Sequence, residues 1–151
     1  METNYFGTLS MCRAFAPVLA ANGGGAVVTM LWVSSFCTNP FDASYAASKA
    51  AGWALANGIR TELHPQGTVV VAVHASYIDT DMAALANVPK DSPESVVQQA
   101  LDGVKAGQAE VLADERTRFV KASLPRDQEL LYPPIRQFWD VAVQAPVTGS
   151  G

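Results

Sequence analysis

A tyrosine and a lysine four positions apart are the residues of this chain that point most directly to chemistry. Tyr45 and Lys49 lie in the segment SYAASK, residues 44–49. In a helix, side chains at this spacing lie on one face, one turn apart. A phenol has a pKa of about 10, and a nearby lysine cation lowers it by favouring the phenolate. The pair predicts a proton donor and acceptor for a carbonyl and its alcohol, although the spacing alone also fits an ordinary surface helix.

Helical and strand patterns alternate around this pair. Apolar residues recur at three- and four-residue steps in the helical segments, and continuous apolar runs mark strands that are covered on both faces. Asp42 and Ser92 are candidate N-caps, and the glycines at 23–25 end the first helix. The patterns predict helices over 2–21, 43–63, 93–107 and 116–124, and strands over 26–31, 68–74 and 110–113. This order is typical of an α/β fold with a doubly wound parallel sheet of about three strands and flanking helices.

The 151 residues are enough for one domain with a buried core. We expect that domain to cover residues 1–124 and residues 125–151, which contain Pro133 and Pro134, to form a loosely attached tail. A doubly wound domain normally has more than three strands, and this chain begins inside a helix. We therefore expect that this chain is a truncated form of a longer protein that extends upstream of Met1. The strand at 26–31 would then expose an unpaired edge, which predicts aggregation or obligate oligomerisation.

Composition excludes several function classes. The net charge is −4 and no basic run is present, which argues against nucleic-acid binding. No apolar stretch is long enough to cross a membrane and no secretory signal precedes the first helix, so we expect a cytoplasmic protein. Cys12 and Cys37 lie in apolar surroundings, as reduced cysteines do. His64 and His74 have no third ligand at a suitable spacing, which predicts that the chain has no metal site.

The segment around Tyr45 and Lys49 resembles the active-site helix of the short-chain dehydrogenase/reductase (SDR) family, in which Tyr-x-x-x-Lys is followed by small residues. Three further segments resemble the family in the same order along the chain: the Asn-x-x-Gly at Asn4–Gly7, the strand and loop at 26–35, and the loop at 71–82. The resemblance spans residues 2 to about 124. It implies a partial Rossmann-like fold that corresponds to the C-terminal catalytic portion of the family.

The resemblance also implies roles for individual residues. Tyr45 would be the catalytic acid/base, and Lys49 would lower its pKa and bind the cofactor ribose. Asn4 would hold a water that links Lys49 to solvent, while Thr80 and Ile78 would contact the cofactor. The cofactor would be NAD or NADP and the substrate a small-molecule alcohol or carbonyl compound. Relatives often associate through the helix pair equivalent to 2–21 and 43–63, which implies a homo-oligomer.

The chain departs from the family pattern at the serine that usually lies thirteen positions before the tyrosine. Here that position is Trp32. A tryptophan cannot accept a hydrogen bond and fills far more space than a serine. Ser34 is the candidate substitute, with Ser35 as its neighbour. In an extended strand it would be displaced by roughly 6–7 Å, so the loop would have to fold back.

Two other departures concern the cofactor. Ala75 and Ser76 stand where Pro-Gly is common, and no Gly-x-x-x-Gly-x-Gly follows a first strand. The glycines at 23–25 lie between a helix and a strand, which is the wrong order for a phosphate-binding turn. Two hypotheses therefore remain open: an NAD(P)-dependent oxidoreductase that uses Tyr45, or a catalytically inactive SDR fragment that acts as an interaction or oligomerisation module. The sequence predicts neither the substrate nor the choice between NAD and NADP.

Overall fold

A parallel sheet of three strands lies at the centre of the computed structural model, which describes residues 1–144. The strands are β1 (Gly25–Trp32), β2 (Thr68–Ala75) and β3 (Glu110–Leu112), and they lie in the order β1-β2-β3. In the register of β1 and β2, Gly25 pairs with Thr68 and Trp32 with Ala75. The predicted α/β class and the parallel sheet with flanking helices are confirmed.

Helices connect the strands as the sequence predicts. A π-helical segment at Glu2–Gly7 leads into the first helix, and short 3-10 turns follow several elements. The helices are α1 (Thr8–Ala21), α2 (Ala43–Leu63), α3 (Pro93–Lys105), α4 (Glu115–Ser123), α5 (Asp127–Leu130) and α6 (Tyr132–Gln144). None of the helices between residues 1 and 144 is long and apolar enough to cross a bilayer.

Of the two predicted helix N-caps, one forms a side-chain hydrogen bond to its helix and the other does not. Ser92 caps α3 as predicted, because its hydroxyl accepts the Ser95 N–H at 3.1 Å. Asp42 is the N-cap residue of α2, but its side chain makes no capping hydrogen bond to the helix. Its carboxylate instead accepts the N–H of Asn39, at 3.4 Å. The prediction of a side-chain cap at Asp42 is therefore wrong, since the preceding turn takes up that carboxylate.

Helices cover both faces of the sheet. On one face, α1 and α2 bury Cys12, Ile59, Leu63 and Val70. On the other face, α3 packs against β2 and β3 and buries Val71, Val73, Val96, Ala100 and Val111. The side chains of β2 are buried except for that of Val69, which is half-buried, so this strand forms the centre of the core. Such two-sided burial accounts for the continuous apolar run in its sequence.

The glycines at 23–25 end α1, as the sequence predicts. All three have positive φ, a region that glycine enters without steric cost. A Cβ at Gly24 would collide with the carbonyl oxygen of Gly67, so the two loops can approach only because Gly24 has no side chain. These glycines therefore serve the turn from α1 into β1.

Residues 125–144 contain two helices that the sequence did not predict. Leu131, between α5 and α6, is buried with Val33 and Val120. The ring of Phe41 lies 5.8 Å from Phe138 and 5.0 Å from Trp139 in α6. This part of the predicted tail thus packs against the loop before α2, while its last residues, 145–151, lie outside the described part of the chain.

Within the described residues, β1 and the short β3 are both edge strands of the sheet, and β1 is the longer of the two. β1 pairs with β2 on one side only, and its Val28 and Met30 side chains are 39% and 45% exposed. Such an edge offers unpaired backbone groups to another strand. The predicted tendency to aggregate or to form an obligate oligomer stays a prediction.

Candidate active site

A cavity of about 390 Å³ opens at the carboxyl ends of β1 and β2. Its lining includes residues from the ends of both strands, from α2 and from the loop after β2: Met30, Leu31, Trp32, Tyr45, Lys49, Ala75, Ser76, Tyr77, Ile78, Thr80, Met82, Ala83 and Ala86. Ligands of open α/β sheets bind at this end of the strands. The cavity therefore lies where a site is expected for this architecture.

Tyr45 and Lys49 both line the cavity from the first turns of α2. The Lys49 Nζ lies 5.6 Å from the centroid of the Tyr45 ring. It donates a hydrogen bond to the carbonyl oxygen of Met30, at 3.0 Å. The helical spacing thus brings the two groups to one cavity, and the Met30 carbonyl at the edge strand holds the lysine there.

Burial shifts the pKa values of both Tyr45 and Lys49. Burial raises the pKa of the Tyr45 phenol, and the negative charge of Asp42 raises it further. Burial also lowers the pKa of the Lys49 ammonium. Desolvation and the Asp42 charge both favour the neutral phenol, and the lowering of the Tyr45 pKa by Lys49 stays a prediction. The Tyr45 hydroxyl is therefore protonated at neutral pH.

Asn4 reaches α2 from the π-helical segment before α1. Its Nδ2 donates to the Ser48 hydroxyl at 2.9 Å, and that hydroxyl donates to the carbonyl oxygen of Tyr45 at 2.6 Å. Asn4 and Lys49 also line a second cavity, of about 600 Å³, on the neighbouring side of β1. The structure thus ties Asn4 to the backbone of the Tyr45 helix and places it near Lys49 without a direct bond between them.

Trp32, at the end of β1, lines the cavity next to Tyr45 of α2. Its Nε1–H donates to the carbonyl oxygen of Ser76, at 3.0 Å. Its ring lies 5.2 Å from that of Tyr45 and 6.2 Å from that of Tyr77, both edge to face. The indole N–H is therefore already bound, and Trp32 presents carbon surface to the cavity.

Thr80 and Ile78 line the same cavity as Tyr45, and their contact with a cofactor stays a prediction. The Thr80 hydroxyl donates to the Ile78 carbonyl oxygen at 3.4 Å. Backbone hydrogen bonds of 2.9 Å hold this loop: Asp79 N–H donates to the Asp91 carbonyl, and Asp91 N–H to that of Tyr77. The loop after β2 is thus fixed at both sides of Ile78.

Ser34 and Ser35 do not reach the cavity. After Trp32 the chain leaves the extended conformation and forms a 3-10 turn at Val33–Ser35. Ser34 lines a separate depression, beside Ala47 and Tyr132. Ser35 forms a 2.8 Å hydrogen bond with Nδ1 of His74. Because the turn directs both hydroxyls elsewhere, the structure brings neither of them to Tyr45.

His74 lies in the core rather than at the cavity. It is fully buried, its ring stacks on Phe36 at 4.2 Å, and burial lowers its pKa to about 4. The neighbouring Trp53 and Lys121 both donate to the Glu110 carboxylate. Within residues 1–144, no three potential metal-ligating side chains come together. His74 is therefore a neutral core residue at pH 7.

Sequence reasoning missed two residues that shape the cavity, Tyr77 and Asp114, and it named Ser76 only as a departure from the family pattern. Tyr77 and Ser76 line the cavity, and the Ser76 N–H donates to the carboxylate of Asp114 at 2.6 Å. The same carboxylate caps α4 by accepting the N–H of Thr117 at 2.8 Å. The Asp-x-x-Thr pattern before a helical segment signals the cap, but no local pattern reveals the bond to Ser76.

The sequence profile of the short chain dehydrogenase family matches residues 1–91. The chain belongs to this family. Dehydrogenase/reductase SDR family member 7B of Xenopus laevis is 35% identical over 83 residues, which cover 55% of this chain and 26% of the relative. Short chain dehydrogenase mpl6 of Monascus purpureus is 31% identical over 96 residues, covering 64% of this chain and 32% of the relative.

Solved structures of short-chain dehydrogenases share the fold. The crystal structure of a short chain dehydrogenase from Burkholderia cenocepacia J2315 in complex with NADP superimposes with a TM-score of 0.84 and 36% sequence identity. The match covers 89% of this family member but only 58% of the Burkholderia chain. This short-chain dehydrogenase therefore spans about a quarter to a third of the two curated relatives and somewhat more than half of that structure.

Proposed function

We propose that this chain is an NAD(P)-dependent oxidoreductase that interconverts an alcohol and a carbonyl compound, with Tyr45 as the acid/base. The observation that carries the proposal is that the Tyr45 phenol and the Lys49 ammonium line one cavity at the carboxyl ends of β1 and β2. The match to the short chain dehydrogenase family supports it. The NADP in the similar Burkholderia structure supports the choice of cofactor class.

The residues of the cavity fit the nicotinamide-ribose end of such a cofactor. Lys49 offers a cationic donor for ribose hydroxyls, and Tyr45 a phenol that both donates and accepts. Thr80 and Ile78 line the same cavity as Tyr45 and Lys49 and would border the nicotinamide. A bound nicotinamide dinucleotide supplies or accepts the hydride, while the side chains of this chain bind, orient and handle the proton.

Tyr45 would hold the proton in the direction of carbonyl reduction. Burial and Asp42 raise its pKa, so the phenol is protonated at neutral pH and can donate to a developing alkoxide. Lys49 would stabilise the phenolate that remains after this transfer. Asn4, bound to Ser48 and near Lys49, would connect the lysine to solvent through the second cavity.

A paired substitution tests the role of Tyr45. We expect Tyr45→Phe to lower the rate of NADPH- or NADH-dependent carbonyl reduction by roughly 10²- to 10⁴-fold, because it removes the proton donor and leaves the ring. Tyr132→Phe, at the start of α6 and outside the cavity, is the matched control and should keep the wild-type rate. Oxidation of NADPH by a panel of ketones and aldehydes is the measurement. Equal rates for wild type and Tyr45→Phe would contradict the proposal.

One observation favours the second candidate function, a non-catalytic interaction module. Trp32 stands where relatives carry the serine, and its N–H is bound to Ser76, so it cannot polarise a substrate carbonyl. The groove between α1 and α2 is lined by small and apolar residues that include Leu9, Ala54 and Gly58, which suits pairing with a second copy. Light scattering tests this homo-oligomer: a monomer would contradict it. Residence in the cytoplasm stays a prediction from sequence.

A further inference from the structure

We propose that the cavity beside Tyr45 selects uncharged carbonyl compounds or alcohols that carry an aromatic ring next to the reacting carbon. Trp32 and Tyr77 are the specificity-determining residues in this assignment. It deepens the proposed oxidoreductase function and rests on it for the reaction. The physical claim, however, concerns binding to two named rings and can be tested without turnover.

The aromatic rings form a corner of fixed geometry. Trp32 meets Tyr45 and Tyr77 edge to face, with centroid distances of 5.2 and 6.2 Å and interplanar angles of 63° and 86°. Aromatic pairs prefer such offset or perpendicular arrangements with centroids about 4.5–7 Å apart. A further ring in the cavity can therefore stack on one wall and meet the other edge to face.

Hydrogen bonds and a cation hold the corner in place. The Trp32 Nε1–H is bound to the Ser76 carbonyl, and the Ser76 N–H is bound to the Asp114 carboxylate. The Arg116 guanidinium lies 5.7 Å from the Tyr77 ring centroid, within the range of a cation–π interaction. Neither Asp114 nor Arg116 lines the cavity. The rings are thus preorganised, which lowers the cost of binding a rigid ligand.

The other walls offer a charged substrate little compensation for desolvation. They consist mainly of carbon surface from Met30, Leu31, Ile78, Met82, Ala83 and Ala86. Lys49 is the one formally charged side chain among the lining residues; its ammonium donates to the Met30 carbonyl, and its other N–H groups are assigned to the cofactor ribose in the proposed function. An ionised group buried without a partner is strongly unfavourable. Because the nicotinamide of the proposed function shares this cavity of about 390 Å³, the substrate is limited to a small ring system, and the flexible, exposed Met82 can adapt to its outline.

Three matched probes test the assignment by binding alone. They are 1-tetralone, an aryl ketone; 1-decalone, its saturated counterpart of similar size; and pyruvate, a charged carbonyl compound. Each is titrated into the ¹⁵N-labelled full chain without cofactor while the tryptophan indole N–H resonances are followed. The Trp32 indole resonance is identified as the one that disappears from the spectrum of Trp32→Leu. We expect 1-tetralone to shift the Trp32 resonance saturably and at least fivefold more tightly than 1-decalone, and pyruvate to leave it unmoved.

Two variants locate the preference on the proposed wall. Because Trp32→Leu removes the indole reporter, the affinities of the variants are taken from the backbone amide resonances of the loop at 76–80. Trp32→Leu and Tyr77→Leu should each reduce the advantage of 1-tetralone over 1-decalone by roughly fivefold, whereas Trp139→Leu, on α6, should preserve it. If Trp32→Leu does not fold, Tyr77→Leu on the loop carries the test. Equal affinity for the two bicyclic ketones, or no Trp32 shift with 1-tetralone, would overturn the assignment. Loss of activity in Tyr45→Phe bears only on the proton transfer, so the two failures are distinguishable.

Discussion

The surroundings of Tyr45 determine the protonation state of its phenol at neutral pH. The sequence motif places Lys49 one turn away, which by itself predicts a lowered pKa for the phenol. The fold also partly buries the ring and places Asp42, at the N-cap of α2, close enough to raise that pKa. A protonated phenol is a donor, so under the proposed function Tyr45 would favour carbonyl reduction over alcohol oxidation at neutral pH.

The Asp42 charge gives a pH prediction. Alcohol oxidation needs the phenolate, so its rate should rise as the pH approaches the raised Tyr45 pKa, while carbonyl reduction should fall over the same interval. Asp42→Asn removes one cause of the raised pKa and should move both profiles to lower pH. The measurement is kcat/KM against pH in both directions. Asp81→Asn, which carries the same change in the exposed turn after Thr80, should leave the profiles in place. A shift to higher pH in Asp42→Asn would be inconsistent with this role.

At the scale of elements, the N-terminus of α4 supports the cavity. Asp114 follows β3 and caps α4 through Thr117, and the same carboxylate holds the backbone N–H of Ser76 after β2. The carbonyl of Ser76 in turn accepts the Trp32 N–H at the end of β1. One side chain therefore links the carboxyl ends of three strands, and Asp114 is a positioning residue for the cavity.

Substitution of two helix caps separates stability from positioning. Ser92→Ala removes the cap of α3 and should cost about 1 kcal/mol of the free energy of unfolding. Asp114→Ala removes a cap and also a charge-assisted bond to Ser76, so its cost should reach about 2–3 kcal/mol. Urea unfolding measures both values. Only Asp114→Ala should also shift the Trp32 indole resonance. If that resonance is unmoved, Asp114 stabilises α4 without positioning Trp32.

The elements themselves were predictable because their signals are local. Helical periodicity, the Ser92-Pro93 start of α3 and the glycines after α1 each act within a few residues, and the structure places the corresponding elements as expected. The helices after residue 124 were missed because Pro133 and Pro134 suggested a break, whereas prolines are tolerated in the first turn of a helix such as α6. The failed cap at Asp42 depended on competition from Asn39, which no helix pattern reveals.

The cavity was only partly predictable because local sequence patterns do not reveal contacts between residues that are far apart in the sequence. Tyr45, Lys49, Thr80 and Ile78 share it, and each belongs to a segment that resembles the family. Ser34 could replace the serine only if the loop folded back towards Tyr45, but the 3-10 turn at Val33–Ser35 places Ser34 in a separate depression. The aromatic corner of Trp32 and Tyr77 joins residues far apart in sequence, so only the packed fold shows it.

At the scale of the whole molecule, the chain combines the cavity lined by Tyr45 and Lys49 with somewhat more than half of a known fold. It covers 58% of the similar Burkholderia structure, and β1 is an open edge among the described residues. The cavity, the neighbouring space shared by Asn4 and Lys49, and the edge of β1 all lie on connected parts of the surface through Met30 and Lys49. Whether these residues bind a dinucleotide decides between the enzyme and the interaction module.

Calorimetric titration of the purified chain with NADPH and with NADH tests whether this chain binds a nicotinamide dinucleotide, as the proposed oxidoreductase function requires. We predict saturable binding of at least one nucleotide, weakened roughly tenfold or more in Lys49→Met because a cationic donor to the ribose is lost. Lys105→Met, at the exposed end of α3, is the matched control and should bind as the wild type does. Absence of binding at millimolar concentrations of both nucleotides, in protein that melts cooperatively, would contradict the oxidoreductase function of this chain.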